Sequence, residues 1–171
     1  MSSTSLKSRV ENFQSYPEGG KISDSTQTLE GEHTKVKIVI TAGLSSNNCT
    51  VTNEPSLRAV MFSVREDSDF VYSLALNEGR AKSAEISGRL SFMYRTKILL
   101  YFLLNKEALE EPTILFDGTG KELALDKKVA PENGQEFDEV HFQIKTMTND
   151  LTSPSFTLRT IAFTLKDNHS S

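Results

Sequence analysis

The side chains most able to do chemistry in this sequence are three closely spaced carboxylates, Glu66, Asp67 and Asp69, together with three histidines and a single cysteine. Carboxylates so close together could hold a hard cation through their oxygens, or divide acid and base work between them, if a shaped loop turned those oxygens toward one point. They lie in SVREDSDFVYSLALNEG, residues 63–79, between two apolar-alternating stretches, where a solvated turn accounts for them and no metal site is expected. His33, His141 and His169 are far apart and have no His-x3-His or Cys-x2-Cys spacing, so zinc is not expected either. Cys49 has no cationic or histidine neighbour in sequence to stabilise a thiolate, and reads as an incidental loop thiol. Asp117-Gly118-Thr119-Gly120 is glycine-rich, but a β pattern follows it rather than a helix whose amides could hold a phosphate, so it reads as a hairpin turn. No serine stands in a Gly-x-Ser-x-Gly elbow, and no order of Ser, His and Asp suggests a triad. The sequence therefore predicts a non-enzymatic chain with no catalytic residue and no cofactor.

The composition sets the frame for those side chains. A chain of 171 residues, 37% hydrophobic and 25% charged, has the makeup of one globular domain with room for a self-sufficient core. Its longest apolar run, ILLYFLL at 98–104, is far short of the about 20 residues needed to cross a bilayer. The polar N-terminus lacks a secretory pattern and one cysteine allows no internal disulfide, which predicts an intracellular, reducing location. A net charge of −4 with scattered Lys and Arg argues against nucleic acid as a partner.

The elements that must position any site read mainly as β. Residues 1–33 are polar with isolated apolar residues and are expected to be a tail, with one short edge strand near Val10 to Phe13. HTKVKIVI and Phe70 to Leu76 alternate with period two and, with SLRAVMFSV between them, predict three strands. Asn77 and Glu78 suit a helix start, so a short helix is expected over 78–86, ended by Ser87-Gly88. YRTKILLYFLLNKEAL, 94–109, predicts a second helix, with a buried strand at 98–104 as the competing reading. TILFDGTGKELAL then reads as a hairpin, EVHFQIKTM as a strand, and FTLRTIAFTL as a last strand. In that last strand Phe156 and Leu158 fall on one phase and Ile161, Phe163 and Leu165 on the other, which predicts a one-residue bulge near Arg159-Thr160. The expected fold is an antiparallel seven-stranded β-sandwich or curled sheet over 34–166, capped by a helix-turn-helix inserted mid-chain, with 167–171 flexible.

One apolar residue stands apart, Leu151 in the polar loop TNDLTSPS, flanked by Asn149 and Asp150. It either folds onto its own core or serves as a knob for a pocket on another molecule. The segment DFVYSLALNEGRAKSAEISGRLSFMYRTKILLYFLL, with its flanking strands, resembles the head domain of the centriole cartwheel family called spindle assembly abnormal six. That resemblance implies a helix-capped sandwich, shared with the scaffold proteins of DNA end joining. It further implies a structural protein of the cytoplasmic cytoskeleton, at a centriole, basal body or apical cytoskeletal structure, that self-associates weakly through Leu151 and has other centriolar or basal-body proteins as further partners. Phe92, Ile98 and Phe102 are the expected partner pocket under that resemblance. The alternatives carried with it are a head of the DNA-repair scaffold type and a generic β-sandwich binding module.

Overall fold

A computed structural model describes residues 8–22, 26–39, 49–54, 59–64, 70–146 and 155–165. Among them there are twelve strands and no helix. In chain order they are β1 (Ser8–Glu11), β2 (Lys21–Ile22), β3 (Thr28–Glu30), β4 (Thr34–Val39), β5 (Cys49–Glu54), β6 (Ala59–Val64), β7 (Phe70–Leu76), β8 (Ala81–Leu104), β9 (Glu107–Ala108), β10 (Thr113–Val129), β11 (Glu139–Thr146) and β12 (Ser155–Leu165). All pairings are antiparallel, and they run in the order β2-β5-β6-β12-β8-β11-β7-β4-β3.

The organising element is β8. Its 24 residues would span about 80 Å if straight, whereas a chain of this length has a radius of gyration of about 15 Å. The strand must therefore bend. Its first half, up to Ser91, pairs with β12, its second half, from Thr96, pairs with β11, and β10 follows its other edge along both halves. The fold-back is visible in β10, where Lys127 donates from Nζ to the carbonyl of Ile114 at 3.2 Å although the two are 13 residues apart. Irregularities in the β8–β10 register at Ile114/Phe116, Gly118/Gly120 and Gly120/Leu123 let the ribbon turn without breaking. The resulting layers face each other across a common core. Phe142 of β11 meets Phe156 of β12 with ring centroids 5.4 Å apart, although those strands do not pair. Phe137, wholly buried ahead of β11, touches Phe102 of one half of β8 and Phe163 of β12.

Several expectations are corrected here. Neither helix exists: residues 81–104 form one strand, and ILLYFLL is its C-terminal end, buried on both faces except at Tyr101 and Leu104. Burial on both faces removes the period-two signal and leaves a run that resembles a helix interior. Asn77 does not cap a helix; its amide donates to the carbonyls of Gly31 and Glu32 and ties the β7–β8 turn to the β3–β4 turn. TILFDGTGKELAL is not a hairpin but part of the single strand β10, its glycines sitting at the irregular pairings. The stretch expected to be a tail supplies β1, β2 and β3 and buries Phe13, Tyr16, Ile22 and Leu29 in the core. The last strand behaves as its two phases require. Phe156 and Leu158, then Ile161, Phe163 and Leu165, all point inward, with a register shift between Leu158 and Thr160.

A buried polar knot joins the first strand to this core. Glu11 accepts from the Phe13 amide at 3.1 Å and from the Thr34 hydroxyl at 2.6 Å, and Thr34 shares a second bond of 2.8 Å with the Tyr16 hydroxyl. Burial, with the nearby charges of Glu11 and Glu30, pushes the Tyr16 phenol well above its ordinary range despite the Thr34 hydrogen bond.

Candidate functional site

Along β11 the side chains divide cleanly. Val140, Phe142 and Ile144 enter the core, while Glu139, His141, Gln143 and Lys145 take the opposite face. The pairing registers extend that outer face into rows across four strands. From β8 through β11 and β7 to β4 they read Leu103–Glu139–Ala75–Lys35, then Tyr101–His141–Ser73–Lys37, then Leu99–Gln143–Val71–Val39. Paired residues in antiparallel strands lie side by side, so residues separated by dozens of positions become neighbours.

The polar members of these rows hold one another in place. The Tyr101 hydroxyl donates to Oε1 of Gln143 at 2.8 Å. The Ser73 hydroxyl donates to Oε2 of Glu139, and Nε2 of His141 lies 2.9 Å from the same oxygen. Burial by itself would raise the Glu139 carboxyl. The hydrogen bonds from His141 and Ser73, with the charges of His141 and Lys37, outweigh burial and hold it below the usual carboxylate range. Serine, histidine and glutamate thus meet, but in the wrong order for a nucleophilic triad. The carboxylate stands between the hydroxyl and the imidazole, so this bonding does not activate the hydroxyl by the imidazole.

At the β9 end of this face lies a cleft of about 300 Å3 lined by residues including Lys35, Lys37, Ser73, Lys106, Asp138 and Glu139. Its rim includes the two-residue turn between β8 and β9. Asn105 and Lys106 both have positive φ, 51° and 69°, the backbone of a tight type I′ hairpin turn, in which asparagine is favoured at the first position. Asp138 fastens that turn to the sheet. Its carboxylate accepts from the Asn105 amide at 3.3 Å, its own amide donates to the Leu103 carbonyl at 3.0 Å, and its carbonyl accepts from the Leu76 amide at 2.9 Å.

The residues singled out from sequence do not form this site. Glu66, Asp67, Asp69, Asn149, Asp150 and Leu151 lie outside the described residues, as does the side chain of Phe92. Ile98 and Phe102 are wholly buried on the core side of β8. The His33 ring lies 4.0 Å from the exposed Glu32 carboxylate, whereas His141 sits at the centre of the polar face. No cluster of metal-ligating side chains occurs among the described residues. The signal for the face was present in Glu139-x-His141-x-Gln143-x-Lys145, a polar phase throughout, and in Lys35-x-Lys37.

A scan of protein-family models and a search of curated proteins return no match. Among solved structures, the chain resembles a family 29 carbohydrate-binding module from Piromyces equi, with a TM-score of 0.56, 13% identity, and coverage of 98% of this chain and 97% of that one. A second structure, titled a family 29 carbohydrate-binding module, has a TM-score of 0.46 and 14% identity over 77% of this chain and 89% of that one. The first likeness extends over both chains almost end to end and shows a shared fold. It replaces the resemblance to centriole cartwheel heads, whose helix cap has no counterpart among the described residues. The centriolar and basal-body scaffold role, with its weak self-association, rested on that resemblance and falls with it; Leu151 itself lies outside the described residues. The DNA-repair scaffold reading relied on the same capped head and falls for the same reason.

Proposed function

We propose that this chain is a non-catalytic β-sandwich binding module whose ligand is a carbohydrate, held against the outer face of β4, β7, β11 and β8. The observation that carries this reading is the pre-paired polar set Tyr101–Gln143 and Ser73–Glu139–His141 on one sheet face, beside a cleft of about 300 Å3. Sugars present hydroxyls that both donate and accept, and ring faces of C–H groups that pack on aromatic or aliphatic side chains. Tyr101, partly exposed, offers the second kind of surface; Gln143 and His141, also partly exposed, offer the first, with the buried Ser73 and Glu139 holding His141 in place. Because these side chains already restrain one another, little rotamer freedom remains to be lost on binding. The fold likeness to a carbohydrate-binding module supports the same reading.

Titration calorimetry against cellohexaose and mannohexaose tests it. Saturable binding to at least one of them is expected. Each of Tyr101→Ala and Gln143→Ala should weaken it about tenfold, the loss of roughly one well-made contact of 1.4 kcal/mol. Binding that both substitutions leave unchanged would place the ligand elsewhere.

A further inference from the structure

The cleft at the end of the polar face carries a charge imbalance that a neutral sugar does not use. Lys35 and Lys37 project from β4 and Lys106 from the β8–β9 turn, and all three line the cleft with Asp138 and Glu139. Both carboxylates already have partners. Asp138 accepts from the Asn105 amide, and Glu139 is bonded to Ser73 and His141. Among the described residues, no direct ion pair or hydrogen bond takes the ammonium groups of Lys35, Lys37 or Lys106, although Lys37 is near enough to help hold the Glu139 carboxyl low and Glu30 stands opposite Lys35 in the β3–β4 register. The cleft thus has cations in excess of anions within a chain of net charge −4. A concave site rimmed by cations concentrates field and attracts anions, in contrast to the acidic molecule around it.

We infer that this cleft recognises an acidic sugar residue, its carboxylate or sulfate taken by Lys35, Lys37 and Lys106 while the rest of the saccharide lies along the Tyr101–Gln143 row. This inference rests on the carbohydrate-binding reading and specifies its ligand class. Lysine suits the role because its ammonium is a mobile point charge on a flexible stem, able to follow either a planar carboxylate or a tetrahedral sulfate. Asp138 and Glu139 shape the same cleft so that the anion must come to the lysine side. Approach toward the carboxylates would set like charges together.

The test uses the full chain and four trisaccharides, titrated by calorimetry at low and moderate salt: trigalacturonic acid, its methyl ester, a sulfated galactose trisaccharide, and cellotriose. At least one of the two acidic sugars is expected to bind about tenfold or more tightly than the methyl ester and cellotriose, with affinity falling as salt screens the lysines. Which acidic sugar binds more tightly identifies carboxylate or sulfate as the source of the charge. The double variant Lys37→Gln with Lys106→Gln should remove that advantage, while Lys82→Gln, on the first half of β8, should keep it. Both lysines are at the surface of the cleft, and matching thermal melts of the variants establish that folding is intact. Equal affinity for acidic and neutral sugars, or an acidic preference that survives the double variant, would overturn the inference and leave the carbohydrate reading standing. Failure of all four sugars and of the neutral hexasaccharides to bind would overturn both.

Discussion

Gly88 separates a strand from a helix more sharply than any other position. In the structure it lies opposite Leu158 in the β8–β12 register, next to the shift between Leu158 and Thr160. A Cβ added there would overlap the Thr157 carbonyl oxygen and would lie 3.3 Å from the Leu158 Cα. Its φ is not in the left-handed region, so glycine is required by space rather than by backbone angle. Overpacking costs about 1–3 kcal/mol, and the obstacle here is backbone of a paired strand that cannot rotate aside, so Gly88→Ala should cost about 3 kcal/mol. For a chain of this size that lowers Tm by about 6–12 °C. Gly118→Ala is the matched control, since its Cβ would meet only the tip of the Phe116 ring at an ordinary 3.6 Å. It should be neutral or slightly stabilising, because alanine restricts the unfolded chain more than glycine does. Urea unfolding of both variants, followed by circular dichroism, gives the comparison. A Gly88→Ala protein as stable as its parent, or a Gly118→Ala protein harmed more, would refute the strand pairing argued here.

Thr34→Val removes the hydroxyl that serves both Glu11 and Tyr16, and should cost about 2–5 kcal/mol in thermal melts, since two buried polar groups lose a partner. The raised Tyr16 phenol gives stability that is complete below the ordinary tyrosine value of about 10 and is lost as pH rises above it; ultraviolet titration should show Tyr16 ionising only as the protein unfolds. Glu139, held low, works in the opposite direction, with stability present above its ordinary value of 4.5 and lost as pH falls through its depressed one. Ser73→Ala, which removes one bond to Glu139, should therefore be less stable than the parent at neutral pH, and the gap should narrow on acidification below 4.5. Phe137→Ala empties the ring site between Phe102 and Phe163 and should cost about 3–5 kcal/mol in urea unfolding.

The strands legible in the sequence were those with one face in the core and one outside. β4 shows Val36 and Ile38 between Lys35 and Lys37, and β11 shows Val140, Phe142 and Ile144 between polar residues. Even the bulge in β12 was readable, because a register slip exchanges the phase of every residue beyond it. β8 was not, for two physical reasons. Its second half is buried on both faces, which erases alternation, and its first half opens with Ala81, Lys82, Ala84 and Glu85, residues that favour helices. Alternation was nonetheless present from Ala84 through Ile86 and Gly88 to Leu90, all buried, and it outweighed the helix signals at Asn77 and Glu78. The N-terminal strands are shorter still. β2 has two residues, and single apolar residues such as Ile22 and Leu29 acquire meaning only when the rest of the core arrives to cover them.

The candidate face was legible one strand at a time, never as a whole. Glu139, His141, Gln143 and Lys145 alternate openly, yet Ser73 reads as a minor interruption in FVYSLAL, and Tyr101 disappears inside ILLYFLL. What joins them is register between strands dozens of positions apart, as in the bond from Ser73 to Glu139 across 66 positions. Local sequence specifies which face a residue takes but not which distant residue stands beside it. Residue spacing along the chain therefore points to Glu66, Asp67 and Asp69 and not to a set of residues assembled across four strands.

Backbone amide chemical shifts during titration with a bound oligosaccharide test the central claim most directly. The account predicts shifts concentrated at Tyr101, Gln143, His141, Ser73 and the Lys35–Lys37 stretch, with the opposite sheet face around Glu85, Asp126 and Thr160 unchanged. Shifts centred on Glu85, Asp126 and Thr160, or no shifts with any saccharide, would contradict it.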